Sequence, residues 1–233
     1  MSRWWHGLIA LVVIASLAVQ LALIFTGGAD ANSGQTGEAL RLGVRLWRLF
    51  SYFTIESNLL VLAAALVLVW RPTFDGPVWR VVRLDALLGI LITGLVFAIM
   101  LAPQVHLTGA ALAATIGFHY ISPWATIAAW LLFGPRPRIS WSTVAGAFVW
   151  PLAWLVYIFT QGAFTDWYPY PFLGRDGPGP RSSHPQRGLV VVLALAFAAL
   201  FKLADARMPA LLRDTAPGVA PAGAISAVGR VRR

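Results

Sequence analysis

The chain has no cysteine and very little charge: Asp, Glu, Lys and Arg make up 12% of its 233 residues, about half the roughly 25% of a soluble domain. The first absence excludes disulfides, thiol catalysis and cysteine-ligated metal, and leaves the redox compartment open. The second excludes a water-facing surface of ordinary composition. Lysine is almost missing too. Seventeen of the eighteen basic residues are Arg, and with abundant Ala, Gly and Pro this reads as the codon bias of a GC-rich bacterial genome. No zinc-protease, Gly-x-Ser-x-Gly or phosphate-loop motif occurs. No long hydrophilic stretch could house a separate soluble domain.

What is there is apolar sequence, 58% hydrophobic with a mean hydropathy of +0.72. Several runs reach the roughly 20 residues a helix needs to cross a bilayer. The pattern predicts an all-α, polytopic membrane protein. It reads as a six-transmembrane-helix bundle over residues 1–205, followed by a disordered basic tail over 206–233. The expected helices are 7–25, 49–70, 84–102, 110–133, 142–161 and 188–203. Ala29-Asp30-Ala31 resembles a small-x-small cleavage site, but the run before it is longer than a usual signal core, so a first transmembrane helix is the preferred reading. Residues 27–40 read as a loop. Arg41, Arg45 and Arg48 share a helical face beside Trp47, as in an interfacial lead-in to the second helix or a basic mouth for anionic lipid.

Arg71-Pro72 ends the second helix. Asp85 falls at the expected start of the third, where a helix N-terminus favours negative charge, so a capping role is expected. Pro151 should kink the fifth helix. Residues 162–187 form the one long inter-helix loop, aromatic in its first half and Gly/Pro-rich in its second. With six helices both termini share a side. That side carries twelve of the basic residues against six on the other, so the positive-inside rule places both termini in the cytoplasm and the protein in the inner (plasma) membrane.

The least membrane-like stretch within these runs is residues 50–60. Ser51, Tyr52, Thr54, Glu56, Ser57 and Asn58 all need hydrogen-bond partners, and hydrocarbon supplies none. On a continuous helix Ser51, Thr54 and Asn58 share one face. Both this helix and the fourth enter from the outer side, so Thr54 and His119 lie at compatible depths in the outer half of the membrane. The loop at 162–187 is on that side as well. His119 is the one histidine expected well inside a helix; His6, His106 and His184 fall on loops or ends and should be solvated. An intramembrane ionisable residue is a functional candidate by default. Histidine can take the proton of a threonine hydroxyl, and Glu56 could orient it, although Glu56 lies on the other side of the helix from Thr54. The plainer reading has Thr54 bonded to its own helix and His119 bridging two helices.

Three motifs in order then carry a resemblance covering about residues 5–205. They are Tyr52-Phe53-Thr54-Ile55-Glu56-Ser57-Asn58-Leu59-Leu60, Gly117-Phe118-His119-Tyr120-Ile121-Ser122-Pro123, and Trp167-Tyr168-Pro169-Tyr170-Pro171-Phe172-Leu173. Together they resemble the Pr6Pr family of bacterial membrane proteins, which is similar to the eukaryotic androgen-induced gene 1 family. Those relatives are intramembrane threonine hydrolases of fatty acid esters of hydroxy fatty acids. The resemblance implies Thr54 as nucleophile and His119 as base. The chain departs from the eukaryotic pattern in having Ser57 where an Asn is expected, with Asn58 one place later.

The expected function is therefore an integral membrane hydrolase of lipid esters. Asn58 or Ser57 would donate to the oxyanion, and Tyr52, Glu56, Trp167, Tyr168 and Tyr170 would line the substrate site. No cofactor or metal is expected. Membrane lipids and a lipid-ester substrate are the expected partners; nucleic acid is not, and the oligomeric state is left open. The alternative is a transporter or lipid-binding protein with Glu56 and His119 as a proton-linked pair.

Overall fold

A computed structural model describes residues 1–36, 40–136, 138–174 and 184–212. The regular secondary structure of the described residues is helical, apart from one isolated antiparallel bridge between Ala29 and Thr36. Among the described residues five helical stretches are long and apolar enough to cross a membrane: Ser2–Thr26, Phe53–Trp70, Pro77–Gln104, Gly109–Phe133 and Trp141–Thr165. Leu8, Leu11, Ile14, Val149, Leu152 and Val156 point outward, as lipid-facing residues do.

Helix α1 (Ser2–Thr26) has no interior proline and ends at Gly27, whose φ of 81° is the left-handed cap conformation that glycine adopts without strain. It packs against α3 (Phe53–Trp70) and the α5–α6 stretch. The segment that resembles a cleavage site is built into the fold. Ala31 is fully buried and its N–H bonds to buried Gln20, while Asp30 accepts from Gln20 and from the N–H groups of Asn32 and Ser33. Burial holds the Asp30 carboxyl above the ordinary carboxylate range. His6 is buried in α1, with Nδ1 against the Ser2 carbonyl, and is not solvated as its place near the chain end suggested.

The expected second helix is two. Amphipathic α2 (Leu42–Ser51) and α3 are separated by Tyr52, which has an extended backbone. The Tyr52 N–H closes α2 on Leu49, and its carbonyl accepts from Ile55 and Glu56 at the start of α3. Ser51 therefore does not share a helical face with Thr54 and Asn58. It bonds the Trp47 carbonyl and the Tyr157 hydroxyl instead.

Helix α4 (Pro77–Val96) begins seven residues before the expected start, with proline in its first turn, where the missing N–H costs nothing. Asp85 is thus two turns inside the helix and buried, and is not a cap. Outside the bundle, Asp75 precedes α4 and forms a two-pronged ion pair with Arg80, which holds its carboxyl below the usual range.

Two proline positions reshape helices, one at the end of the third apolar stretch and one inside the fourth. The Ala102 N–H reaches back five residues to Phe97, so Phe97–Leu101 is a π turn just before Pro103. The Ser122 N–H likewise reaches Gly117, so Gly117–Ile121 is a π turn between α5 (Gly109–Ile116) and α6 (Ser122–Phe133), just before Pro123. Such single π turns are frequent at functional sites. The expected fifth helix is also two, α7 (Trp141–Ala147) and α8 (Val149–Thr165), broken at Phe148. Pro151 is the cause: it cannot donate to Ala147, and its ring crowds that carbonyl.

The aromatic loop that follows α8 is packed. The Gly/Pro part of the expected long loop lies outside the described residues. Helix α9 (His184–Arg207) then packs on α4 and α7. The expected tail keeps some order at first, since the Leu212 N–H bonds the Leu132 carbonyl at the end of α6. Residues 213–233 lie outside the described residues.

Gly94 lets α4 touch α6. A Cβ there would lie 3.0 Å from the Pro123 ring and 3.2 Å from the His119 carbonyl. Gly94→Ala should cost about 1–3 kcal/mol by overpacking, read as a lower Tm in detergent. Gly7→Ala, which meets nothing within 4 Å, should not lower Tm and should raise it slightly, since Ala is favoured over Gly inside a helix by about 0.5–1 kcal/mol.

Candidate active site

The site lies where the start of α3, the π turn at 117–121 and the aromatic loop meet. Pro123 sets the π turn. In that turn the Ser122 N–H bonds Gly117, and the group that would serve the Phe118 carbonyl is the one Pro123 lacks. Asn58 takes the orphan. Its Nδ2 donates to the Phe118 carbonyl at 3.3 Å and to the Thr54 carbonyl at 2.9 Å. Both amide hydrogens are then used, so Asn58 ties α3 to the π turn and has none left for an oxyanion.

The tie sets Thr54 beside His119. Thr54 Oγ1 is 3.4 Å from His119 Nε2, with both residues at most 3% exposed. Proton positions follow from the acceptors. His119 Nδ1 lies 3.2 Å from the Thr115 carbonyl, which can only accept, so Nδ1 carries the hydrogen. In a neutral ring Nε2 is then bare and accepts the Thr54 hydroxyl proton. The Thr115 hydroxyl donates in turn to the Ala31 carbonyl, and Phe97 stacks on the imidazole at 3.8 Å between ring centres. The ring is thus fixed in orientation and tautomer. A spacing of 3.4 Å is long for a hydrogen bond, as resting catalytic pairs often are.

Tyr170 completes the cluster. Its hydroxyl accepts the Thr54 N–H at 3.1 Å and lies 3.2 Å from Thr54 Oγ1. With the Thr54 hydrogen directed at His119, the phenol proton is the one available to the Thr54 oxygen. Burial pushes the phenol up to about 12, so it stays a donor through neutral and mildly basic pH.

The remaining candidates fall elsewhere. Glu56 turns toward α8, where its Oε2 accepts from Trp150 Nε1 at 2.8 Å. Ser57 is fully buried, facing Gly89 across the α3–α4 contact. Tyr52 stands edge-on to Trp167 and Tyr170, and the Arg48 guanidinium lies over the Trp167 ring at 4.9 Å. Tyr168 packs against Gly162 and lines a polar cavity.

Two cavities share Tyr170 as a wall. One, about 510 Å³, has polar residues Asn32, Gln35, Gln104 and Asp166 around it. The other, about 310 Å³, is apolar, lies among α4, α8 and α9, and has Thr54 and Phe97 in its wall. Thr93 and Asp85 on α4 face it as well. Sequence reasoning passed over three residues here. Phe97 and Thr93 carry no motif, and Asp85 was hidden by a misplaced helix start. Among the described residues no cluster of three or more His, Asp or Glu could hold a metal.

Asn58→Leu removes the tie and leaves the Phe118 carbonyl without its donor, while the Thr54 carbonyl keeps its helical bond from the backbone N–H of residue 58. It should cost about 1–3 kcal/mol, measured as a lower denaturation midpoint. Asn58→Asp, which faces two carbonyls with a carboxyl group, should cost at least as much.

Comparison of the chain with protein-family models, with curated proteins and with solved structures finds no match.

Proposed function

We propose that the protein is an intramembrane hydrolase of lipid esters, with Thr54 as nucleophile and His119 as general base. The observation that carries this reading is the buried Thr54–His119 pair at 3.4 Å, in a tautomer that leaves Nε2 free to take the proton. The resemblance to the Pr6Pr and androgen-induced gene 1 families supports the same reading. No cofactor enters it.

In the reaction, Thr54 Oγ1 attacks the acyl carbonyl carbon while His119 Nε2 takes its proton. Collapse of the tetrahedral intermediate breaks the ester C–O bond, and His119 returns the proton to the leaving alkoxide oxygen. Water then attacks the acyl-threonine. His119 takes a proton from the water, the fatty acid leaves, and Thr54 recovers its hydrogen from His119. Tyr170 is the donor best placed for the developing oxyanion, since its hydroxyl already lies beside the attacking oxygen. The apolar cavity suits an acyl chain, and the polar cavity on the other side of Tyr170 suits the supply of water.

The same reading takes α9 as a sixth span, its 24 residues extending about 36 Å at the helical rise. It keeps both termini in the cytoplasm, with the site in the outer half of the inner membrane. Surrounding lipids then supply substrate directly from the bilayer.

Hydrolysis of a fluorogenic long-chain ester by the purified protein in detergent tests the reading. Thr54→Ala and His119→Ala should each abolish turnover in protein that stays folded by circular dichroism, although loss of the buried imidazole should lower Tm. Tyr170→Phe should lower kcat by about 10²–10³, the usual effect of losing one oxyanion donor. Unchanged turnover in Thr54→Ala would overturn the mechanism.

A further inference from the structure

Asp85 has no place in the mechanism above. It lies in the wall of the apolar cavity and is 6% exposed. Its Oδ1 has no hydrogen-bond partner, and among the described residues no basic side chain pairs with it. Around it the cavity wall is apolar, with Leu88, Ala147 and Phe148. A buried carboxyl left unbonded costs several kcal/mol. Among the described residues nothing bonds Oδ1, and a group entering the cavity is placed to do so.

The position along the cavity is set by helix geometry. Helices α3 and α4 are antiparallel neighbours with Ser57 against Gly89. Thr54 is a turn above Ser57, and Asp85 is a turn below Gly89. The two side chains are therefore separated by roughly 10 Å along the bundle axis. The hydroxyl of Thr93, buried and equally without a partner, faces the same space at about the level of Thr54, a turn above Gly89. A chain whose carbonyl sits at Thr54 and which runs down the cavity away from Thr93 reaches Asp85 partway along its length.

We infer that Asp85 is a polar subsite for a hydroxyl group carried on the acyl chain. A hydroxyl both donates and accepts, so it can bond a carboxyl in either protonation state. An ammonium group would bring a second charge into an apolar slot at a larger desolvation cost. A carboxylate on the chain would be repelled. This rests on the proposed acyl-chain occupancy of the cavity and not on the chemistry of Thr54.

The test is binding in the Thr54→Ala background, where no turnover is possible. Displacement of a fluorescent fatty acid would give Kd for palmitate and for monohydroxypalmitates with the hydroxyl moved along the chain. One hydroxyl position should bind about tenfold more tightly than palmitate, the gain of satisfying one buried polar group. Asp85→Leu should erase that preference while still binding palmitate, and Asp85→Asn should keep part of it. Equal affinities for all chains in the Asp85 protein, or an undiminished preference in Asp85→Leu, would overturn the assignment. Failure of palmitate itself to bind would overturn it together with acyl-chain occupancy. Loss of the mechanism alone would show in the hydrolysis assay and leave these affinities intact.

Discussion

The site depends on one missing hydrogen. Pro123 has no N–H to give, so the helix above it opens into a π turn and leaves the Phe118 carbonyl free. Asn58 fills the vacancy from α3 and spans to its own Thr54 carbonyl. That bond carries the registration of two helices that are distant in sequence. His119 is presented from the π turn, Thr54 from the first turn of α3, and the pair closes to 3.4 Å. Gly94 allows α4 to press Phe97 against the imidazole from the third side. Each of these contacts is buried, where an unmade hydrogen bond is expensive, and so the arrangement is stiff.

Tyr170 stands between two solvents. Toward the helix ends it borders a polar space, and toward the bundle it borders an apolar one. An ester at that boundary could leave its chain in the apolar side and receive water from the other. The aromatic loop that carries Tyr170 is held by contacts among Tyr52, Trp167, Phe172 and Trp47, and by the Arg48 guanidinium from α2. The amphipathic helix α2 thus supports the loop that closes the site.

The helical, multi-pass architecture was legible because long apolar runs have few physical alternatives in a chain with so little charge. Depth in the bundle was legible as well: counting residues from helix ends placed Thr54 and His119 at similar levels, and they lie in contact. Helix starts and breaks were not. Tyr52 is extended because its ring is wedged between Trp167 and Tyr170, a tertiary cause that no local pattern announces. The start at Pro77 was missed because the polar residues after it looked like a loop, and that error turned Asp85 into a cap. The part played by Asn58 was hidden for a different reason. Its partner is a backbone carbonyl freed by a proline elsewhere in the chain, and only the π turn reveals that the carbonyl is free.

The central claim is that Thr54 is an activated nucleophile because His119 Nε2 is held, unprotonated, beside its hydroxyl. Reaction of the folded, detergent-solubilised protein with a fluorophosphonate probe, followed by mass spectrometry of the adduct, tests it directly. A covalent adduct on Thr54 that disappears in His119→Ala is the expected result. A folded protein with no adduct on Thr54, or one in which the adduct survives the loss of His119, would contradict it.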